Sequence, residues 1–554
     1  MAMGTSTADT VAPEGSASAR GGVFSRQASG LVRVAGSWDV FIFNVGLVSV
    51  GIAIAFNQYY GPSLYPGAQP AVSTLLAALG MMFAATTFYF WSVIFPRSGG
   101  VYVTLSRTTS SGLAFVFSVM ETVILLYYAA LAAGLIVNVG LASFFALVGK
   151  VGGSSTLVTW AADISKPTGV FWIGTAFLLL AGLLLATGTR RYFSVQKVVF
   201  AVALIATLIT IGVLLFGSRA DFKTHLTSIT GMHYDQVIAD AKGKGYVPHS
   251  GFSFSESFKF LVWPLLPLLG AIQSVGIGGE VKKVRRSQLF GMLGAVAGTG
   301  LLIALFAVLS NKAFGYDFQG AIGFNSLSGV TKGSTETSIG AAPYFTTLAG
   351  ILANNVILSV IIMGAFVTWI WFWIPAELAY STRSMIAWSF DRLTPSGLGY
   401  VSRRFNTPLV AIAISTAGSI VFMWEIAFHG IAFLTLVEAL LVIWGTAMLM
   451  AVVFPWTRKQ FYDRSPVKAY KVAGIPLMSI TGAITVAFFA MAIVLLWRDP
   501  NAAGPLFNSH GVRTEFWIIV GTVVAATAWY IGNKLYRRSQ GVDIDLAFKQ
   551  IPIE

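Results

Sequence analysis

Charge is what this chain has least of. Asp, Glu, Lys and Arg supply 10% of its 554 residues and 56% are hydrophobic, whereas a soluble domain is about a quarter charged. A water-facing surface cannot be built from that composition. Cysteine is absent, which excludes disulfides and thiolate metal sites and leaves the redox compartment open. The five histidines, His225, His233, His249, His429 and His510, all fall between apolar segments, so none serves chemistry inside a membrane. The three between 218 and 256 read as solvated loop residues in preference to a metal or pH sensor. No Gly-x-x-x-x-Gly-Lys-Ser/Thr loop occurs, so ATP does not drive work on this chain unaided. Neither a cofactor nor a metal site is expected.

What the chain has is apolar length. Spans are expected near 39–58, 71–95, 112–142, 168–188, 193–217, 257–279, 288–310, 346–378, 408–428, 431–454, 473–497 and 514–535. About 20 residues at ~1.5 Å rise cross a ~30 Å hydrocarbon core. The expected fold class is therefore an all-α polytopic membrane protein of twelve transmembrane helices, with the lipid bilayer as its solvent. Residues 1–37, rich in Ala, Gly and Ser without an apolar core, read as a disordered tail with no cleavable signal peptide.

Orientation follows from the cations, which collect in cytoplasmic loops. With the amino terminus inside, 25 of the 36 Lys and Arg lie on the cytoplasmic side, and an even span count puts the carboxyl terminus there too. The net charge of +14 thus resides in membrane-flanking loops and does not point to nucleic acid.

Two spans carry helix breakers amid high hydropathy. The first reads Asn44-Val45-Gly46-Leu47-Val48-Ser49-Val50-Gly51. The sixth reads Trp263-Pro264-Leu265-Leu266-Pro267-Leu268-Leu269-Gly270, followed by Gly276, Gly278 and Gly279. Proline removes a donor and clashes one turn back, so the sixth helix is expected to break between Pro264 and Gly270. The breaks sit five spans apart, in the first and the sixth, the placement that an inverted repeat of five helices plus five would give. Half-helix amides suit a carboxylate, and half-helix carbonyls suit an ammonium or cation. A zwitterion matches both ends. The bland alternative is packing, since Gly and Pro are frequent in membrane helices.

Several motifs then resemble the amino acid–polyamine–organocation superfamily of amino acid permeases. Pro96-Arg97-Ser98-Gly99-Gly100-Val101-Tyr102 with Ser106-Arg107 is similar to that family's signature after the second helix. Gly279-Glu280-Val281-Lys282-Lys283 is similar to its glutamate and basic run after the sixth. Ser381-Thr382-Arg383, Asp391-Arg392-Leu393-Thr394-Pro395, Asn406-Thr407-Pro408 and Tyr470-Lys471-Val472-Ala473-Gly474 resemble later elements. Together they cover about residues 38–480.

The resemblance implies a five-plus-five inverted repeat, discontinuous helices one and six holding substrate, and alternating access. On that basis the domains are 38–217 (spans one to five), an extracellular loop 218–256, 257–454 (spans six to ten), 455–536 (spans eleven and twelve) and a cytoplasmic tail 537–554. It also implies a multi-pass plasma-membrane protein with an amino acid as partner, and says nothing of oligomeric state. The chain departs from the family at Ser49-Val50-Gly51, where a glycine is lost, at Arg392 and at Val284. A mid-helix lysine of the fifth span is missing, with Ala203 and Leu204 about there.

The expected substrate contacts are backbone at Val48, Ser49, Val50 and Gly51 for a carboxylate. Carbonyls of Pro267, Leu268 and Leu269, beside Gly270 and near Asn44, would meet an amine. Trp263, Leu266, Tyr127 or Tyr128 would shape the side-chain pocket, with Gln273 and Ser274 as weaker candidates. An isolated charge at mid-membrane costs about 3 kcal/mol or more, so acids inside spans are neutral, paired or wet. Glu121 is the first candidate for proton coupling and Glu438 the second. Gly99, Gly100, Glu280, Glu377, Arg383 and Asp391 read as gating or structural. Ser359 and Thr368 do not make an adjacent hydroxyl pair, so a proton is favoured over sodium as coupling ion. A polyamine or organic-cation carrier is the runner-up. A channel and a membrane-embedded enzyme fit less well, lacking pore rings and a catalytic constellation.

Overall fold

In hydrocarbon a helix is the one open segment that satisfies its own backbone, and the computed structural model is built accordingly. It describes residues 31–248, 251–328, 338, 340–430, 434–501, 507–508, 511–512, 514–544 and 548. His249, His510 and most of the amino-terminal tail lie outside the described residues.

Among the described residues, twelve helices are long and apolar enough to cross a membrane. Span one is Ser37–Leu64, two Pro70–Ile94, three Ser111–Val151, four Pro167–Ala186, five Thr189–Phe216, six Phe254–Gly276 and seven Val284–Phe314. Span eight is Val356–Phe390, nine Leu409–His429, ten Leu436–Thr457, eleven Leu477–Arg498 and twelve Phe516–Ser539. Spans one, three and six are the most buried, and span twelve the least.

Two spans differ most from expectation. Span three runs on to Val151 through a π-turn at Ile136–Leu141. Span eight begins later and ends later than the apolar run, because Asn354 takes a left-handed conformation (φ 42°) and Asn355 caps a new helix, its side chain accepting from the Leu358 amide. The helix then continues through Ser381-Thr382-Arg383-Ser384, all buried. Polar sequence hides this last stretch from a hydropathy reading.

That stretch is tolerated because its charge is paired. Arg383 donates through Nε to Glu280 Oε1 (2.6 Å) and through Nη2 to Oε2 (3.1 Å). The basic residues that follow Glu280 in sequence are not its partner. A second buried pair lies nearby: Arg107 donates to both oxygens of Asp391 (2.9 and 3.2 Å), and the Tyr102 hydroxyl adds a third donor at 2.8 Å. Backbone joins the same region. Val34 and Ala35 amides donate to the Glu280 carbonyl, Lys282 to Ala35, and Gly99 to the Gly276 carbonyl. The segments flanking spans one, two and six are thereby stitched together at the end of the bundle where the amino terminus enters.

Removing one partner of a buried pair strands the other charge. Asp391→Asn is expected to destabilise the protein by roughly 3 kcal/mol. The readout is the melting temperature of the detergent-solubilised chain by size-exclusion; an unchanged melting curve contradicts a structural role for the pair.

Candidate substrate site

Span one breaks at a single residue. Helix runs from Ser37 to Val48, Ser49 turns left-handed (φ 48°, ψ 65°), and helix resumes at Val50. The first amides of the second half, at Val50, Gly51 and Ile52, have no intrahelical acceptor, while the Ala53 amide bonds the Ser49 carbonyl. The Ser49 hydroxyl points to the Trp369 carbonyl at 3.5 Å.

Span six opens differently from expectation. Both prolines sit inside a helical piece, Val262–Leu268. Pro264 falls in its first turn, where an amide would have no partner anyway. The unwinding comes after them: Leu269–Gly276 is a 3-10 stretch, followed by Gly278–Glu280. The glycines, rather than the prolines, mark the opened segment.

The breaks meet. A Cβ on Gly270 would lie 2.4 Å from the carbonyl carbon and oxygen of Leu47 and 2.7 Å from the Val48 nitrogen, so only glycine lets the two backbones approach so closely. Below that crossing, Asn44 donates to Ser274 Oγ (3.0 Å) and accepts from the Ser274 amide (2.9 Å). Gln288 of span seven donates to the Ser274 carbonyl (3.1 Å) and accepts from its hydroxyl (2.6 Å). These two amide side chains replace helix bonds that the 3-10 stretch has given up.

Beside the crossing lies a cavity of about 720 Å³ of non-protein space, counting its mouth. Span one contributes Leu47, Val48, Ser49, Ile52, Ala53 and Phe56, and span six Trp263, Leu266, Pro267, Leu269, Gly270 and Gln273. Tyr128, Leu131 and Leu135 come from span three, Trp373 and Glu377 from span eight, and Val437 and Leu440 from span ten. The wall is overwhelmingly apolar. At one end Trp263 stacks on Tyr60 (centroids 4.1 Å apart) and donates to the Tyr65 hydroxyl (2.9 Å). Beyond the other end, the Tyr380 ring is wedged between Gly100 and Gly276, where any Cβ would overlap it.

The expected residues divide accordingly. Val48, Ser49, Trp263, Leu266, Pro267, Leu269, Gly270 and Gln273 line the cavity. Val50 and Leu268 are buried outside its lining. Gly51 faces span eight, with Phe366 and Trp369 at 3.0 and 3.1 Å from its would-be Cβ. Asn44 is committed to Ser274. Tyr127 turns to Phe422 (centroids 5.5 Å) and its neighbour Tyr128 takes the wall position. Gly99 and Gly100, both at positive φ, shape the turn under Tyr380.

The acids rearrange most. Glu121 lies outside the lining; its Oε1 accepts from Tyr380 (2.8 Å) and Trp444 (2.7 Å), tying spans three, eight and ten together. Glu438 accepts from Trp497 of span eleven (2.8 Å). Glu377, expected near the inner end of its span, is the acid on the cavity wall, because span eight extends beyond it to Phe390. Its spacing from Trp373, one turn earlier and donating to it at 2.8 Å, was the signal available in the sequence. Tyr380 carried none.

No curated protein matches the chain. The sequence model of the amino acid permease family matches residues 36–526, a stretch that contains both broken helices and the whole cavity wall. The chain belongs to the amino acid permease family, and so to a family of membrane transporters within the amino acid–polyamine–organocation superfamily.

Proposed function

We propose that the protein is a secondary active amino acid transporter working by alternating access, driven by a proton gradient or by exchange. The observation that supports this best is the juxtaposition of two helix breaks at one point, Ser49 against Gly270, beside a cavity. The second half-helix begins at Val50, between the lining residues Ser49 and Ile52, and its amino-terminal, positive end is suited to a carboxylate. Phe56, Leu131, Leu135, Leu266, Val437 and Leu440 would surround an apolar side chain and exclude an anionic one, since no cationic side chain lines the space.

Movement of one half-bundle against the other would expose the cavity to each side in turn, with an inverted repeat of spans one to five and six to ten as its frame. The aromatic contacts of Tyr60 and Trp263 close one end, and Tyr380 with the Glu280–Arg383 pair closes the other. Both termini are placed in the cytoplasm, and the protein in the plasma membrane.

The test is uptake by purified protein in liposomes, offered labelled amino acids under a proton gradient, a sodium gradient or trans-loaded substrate. Apolar amino acids are expected to accumulate under the proton gradient or on exchange; uptake of no amino acid under any condition contradicts the proposal. Gly270→Val is expected to lower uptake at least about tenfold, because its side chain would force the Leu47–Val48 backbone away. Gly51→Ala, which meets the Phe366 ring and the Trp369 Cβ at 3.0 and 3.1 Å and no backbone atom, is expected to cost far less. Equal uptake by Gly270→Val and the unmodified protein contradicts the crossing as the site.

A further inference from the structure

The cavity wall holds a buried carboxylate that only neutral donors reach, beside an amide oxygen left without a donor among the described residues. Glu377 is fully buried, and the donors beside it are neutral: the Trp373 indole on Oε1 and the side-chain amide of Gln273. Gln273, 4% exposed and next to Glu377, leaves its Oε1 without a donor. Neutral donors from Trp373 and Gln273 leave the carboxylate charge uncompensated. Both residues line the same space, and none of the side chains lining it is cationic.

Buried acceptors are paired in native proteins, and a buried carboxylate is neutral or paired with a cation. What fits two oxygens in an otherwise apolar pocket is a compact group with several donors and one positive charge. An alkylammonium has three donors and no acceptor. The groups around Glu377 offer no rival cation: Tyr128 and Glu121 face it from span three, Gln273 from span six, and Trp373 and Tyr380 from its own helix. Glu121 also carries a bare oxygen, but it stands outside the cavity and two donors hold its other one.

Building on the amino acid reading of the cavity, we infer that Glu377 and Gln273 form the seat of the substrate's ammonium group, and that this ammonium and a proton occupy the Glu377 carboxylate in turn. The empty cavity holds Glu377 as the neutral acid. An incoming R–NH₃⁺ displaces that proton to water on the open side, and no other bond is made or broken. On release the carboxylate takes a proton back. Substrate moving one way is thus coupled to a proton moving the other, and the coupling acid is Glu377 rather than Glu121 or Glu438. The amine would sit against side chains of spans six and eight in place of the carbonyls of Pro267 and Leu268.

The experiment measures equilibrium binding to the full chain in nanodiscs with three probes of one shape: leucine, isoamylamine, which lacks the carboxylate, and isocaproate, which lacks the amine. For the unmodified protein, binding of leucine and isoamylamine is expected to weaken by up to about tenfold per unit as pH falls below the value at which Glu377 takes up its proton, and to release protons into weakly buffered solution. Isocaproate should show neither effect. Glu377→Gln is expected to weaken both amines about tenfold or more and to flatten their pH dependence, leaving isocaproate unchanged; Gln273→Leu should weaken the amines by a smaller factor.

The inference is overturned if the amines bind Glu377→Gln within about twofold of the unmodified protein, or if the unmodified protein binds them without proton release. That second measurement needs no variant and stands if Glu377→Gln misfolds. Failure of both amines to bind also overturns it. Binding of isoamylamine but of no amino acid would instead sink the amino acid reading and leave the ammonium seat in place.

Discussion

An opened backbone inside hydrocarbon is unstable until something replaces its lost hydrogen bonds, and this bundle is arranged around that requirement. Span six unwinds at Leu269–Gly276, and the side chains that repair it come from two other spans: Asn44 takes the Ser274 amide and Gln288 its carbonyl. The Asn44 bond cannot form unless span one lies directly against span six. That approach is possible because Gly270 presents no side chain to the Leu47–Val48 backbone. The crossing and the repair therefore depend on one another, and the cavity is what remains beside them once both are satisfied.

The same logic accounts for the charges. In water a salt bridge contributes little, but Arg383 and Arg107 sit among apolar helices and must be matched in place. Glu280 and Asp391 do so with two contacts each. These pairs hold the polar end of span eight inside the bundle, and that end carries Glu377 to cavity depth. A carboxylate that the apolar run alone would leave near a membrane surface is delivered to the wall of the cavity.

Much of the architecture was legible from hydropathy, since twelve apolar runs match twelve helices and the Ser49–Gly51 and Gly270 breakers stand where the helices do break. What was illegible follows a pattern. Pro264 and Pro267 suggested the wrong break point because one falls in a first turn and the other is absorbed by a short helix. Asn44 looked like a ligand contact because its partner, Ser274, is 230 residues away. Tyr127 and Tyr128 are indistinguishable until the rotation of span three is known. Glu377 was misplaced in depth because Ser381-Thr382-Arg383 reads as a loop unless its distant partner Glu280 is seen. Local rules were reliable wherever the physics was local, and failed wherever one residue's environment was set by another span.

The two ends of the cavity are bounded by unlike materials. Rings meet at one end, Tyr60 on Trp263 and Tyr59 on Tyr344; ion pairs and backbone bridges meet at the other. Wetting apolar surface raises heat capacity and wetting polar surface lowers it. On the alternating-access reading, opening the two ends would carry heat-capacity changes of opposite sign. The resting preference between the two open forms would then drift with temperature, and a cell growing in the cold would inherit a carrier with a different idle posture from one growing in the warm.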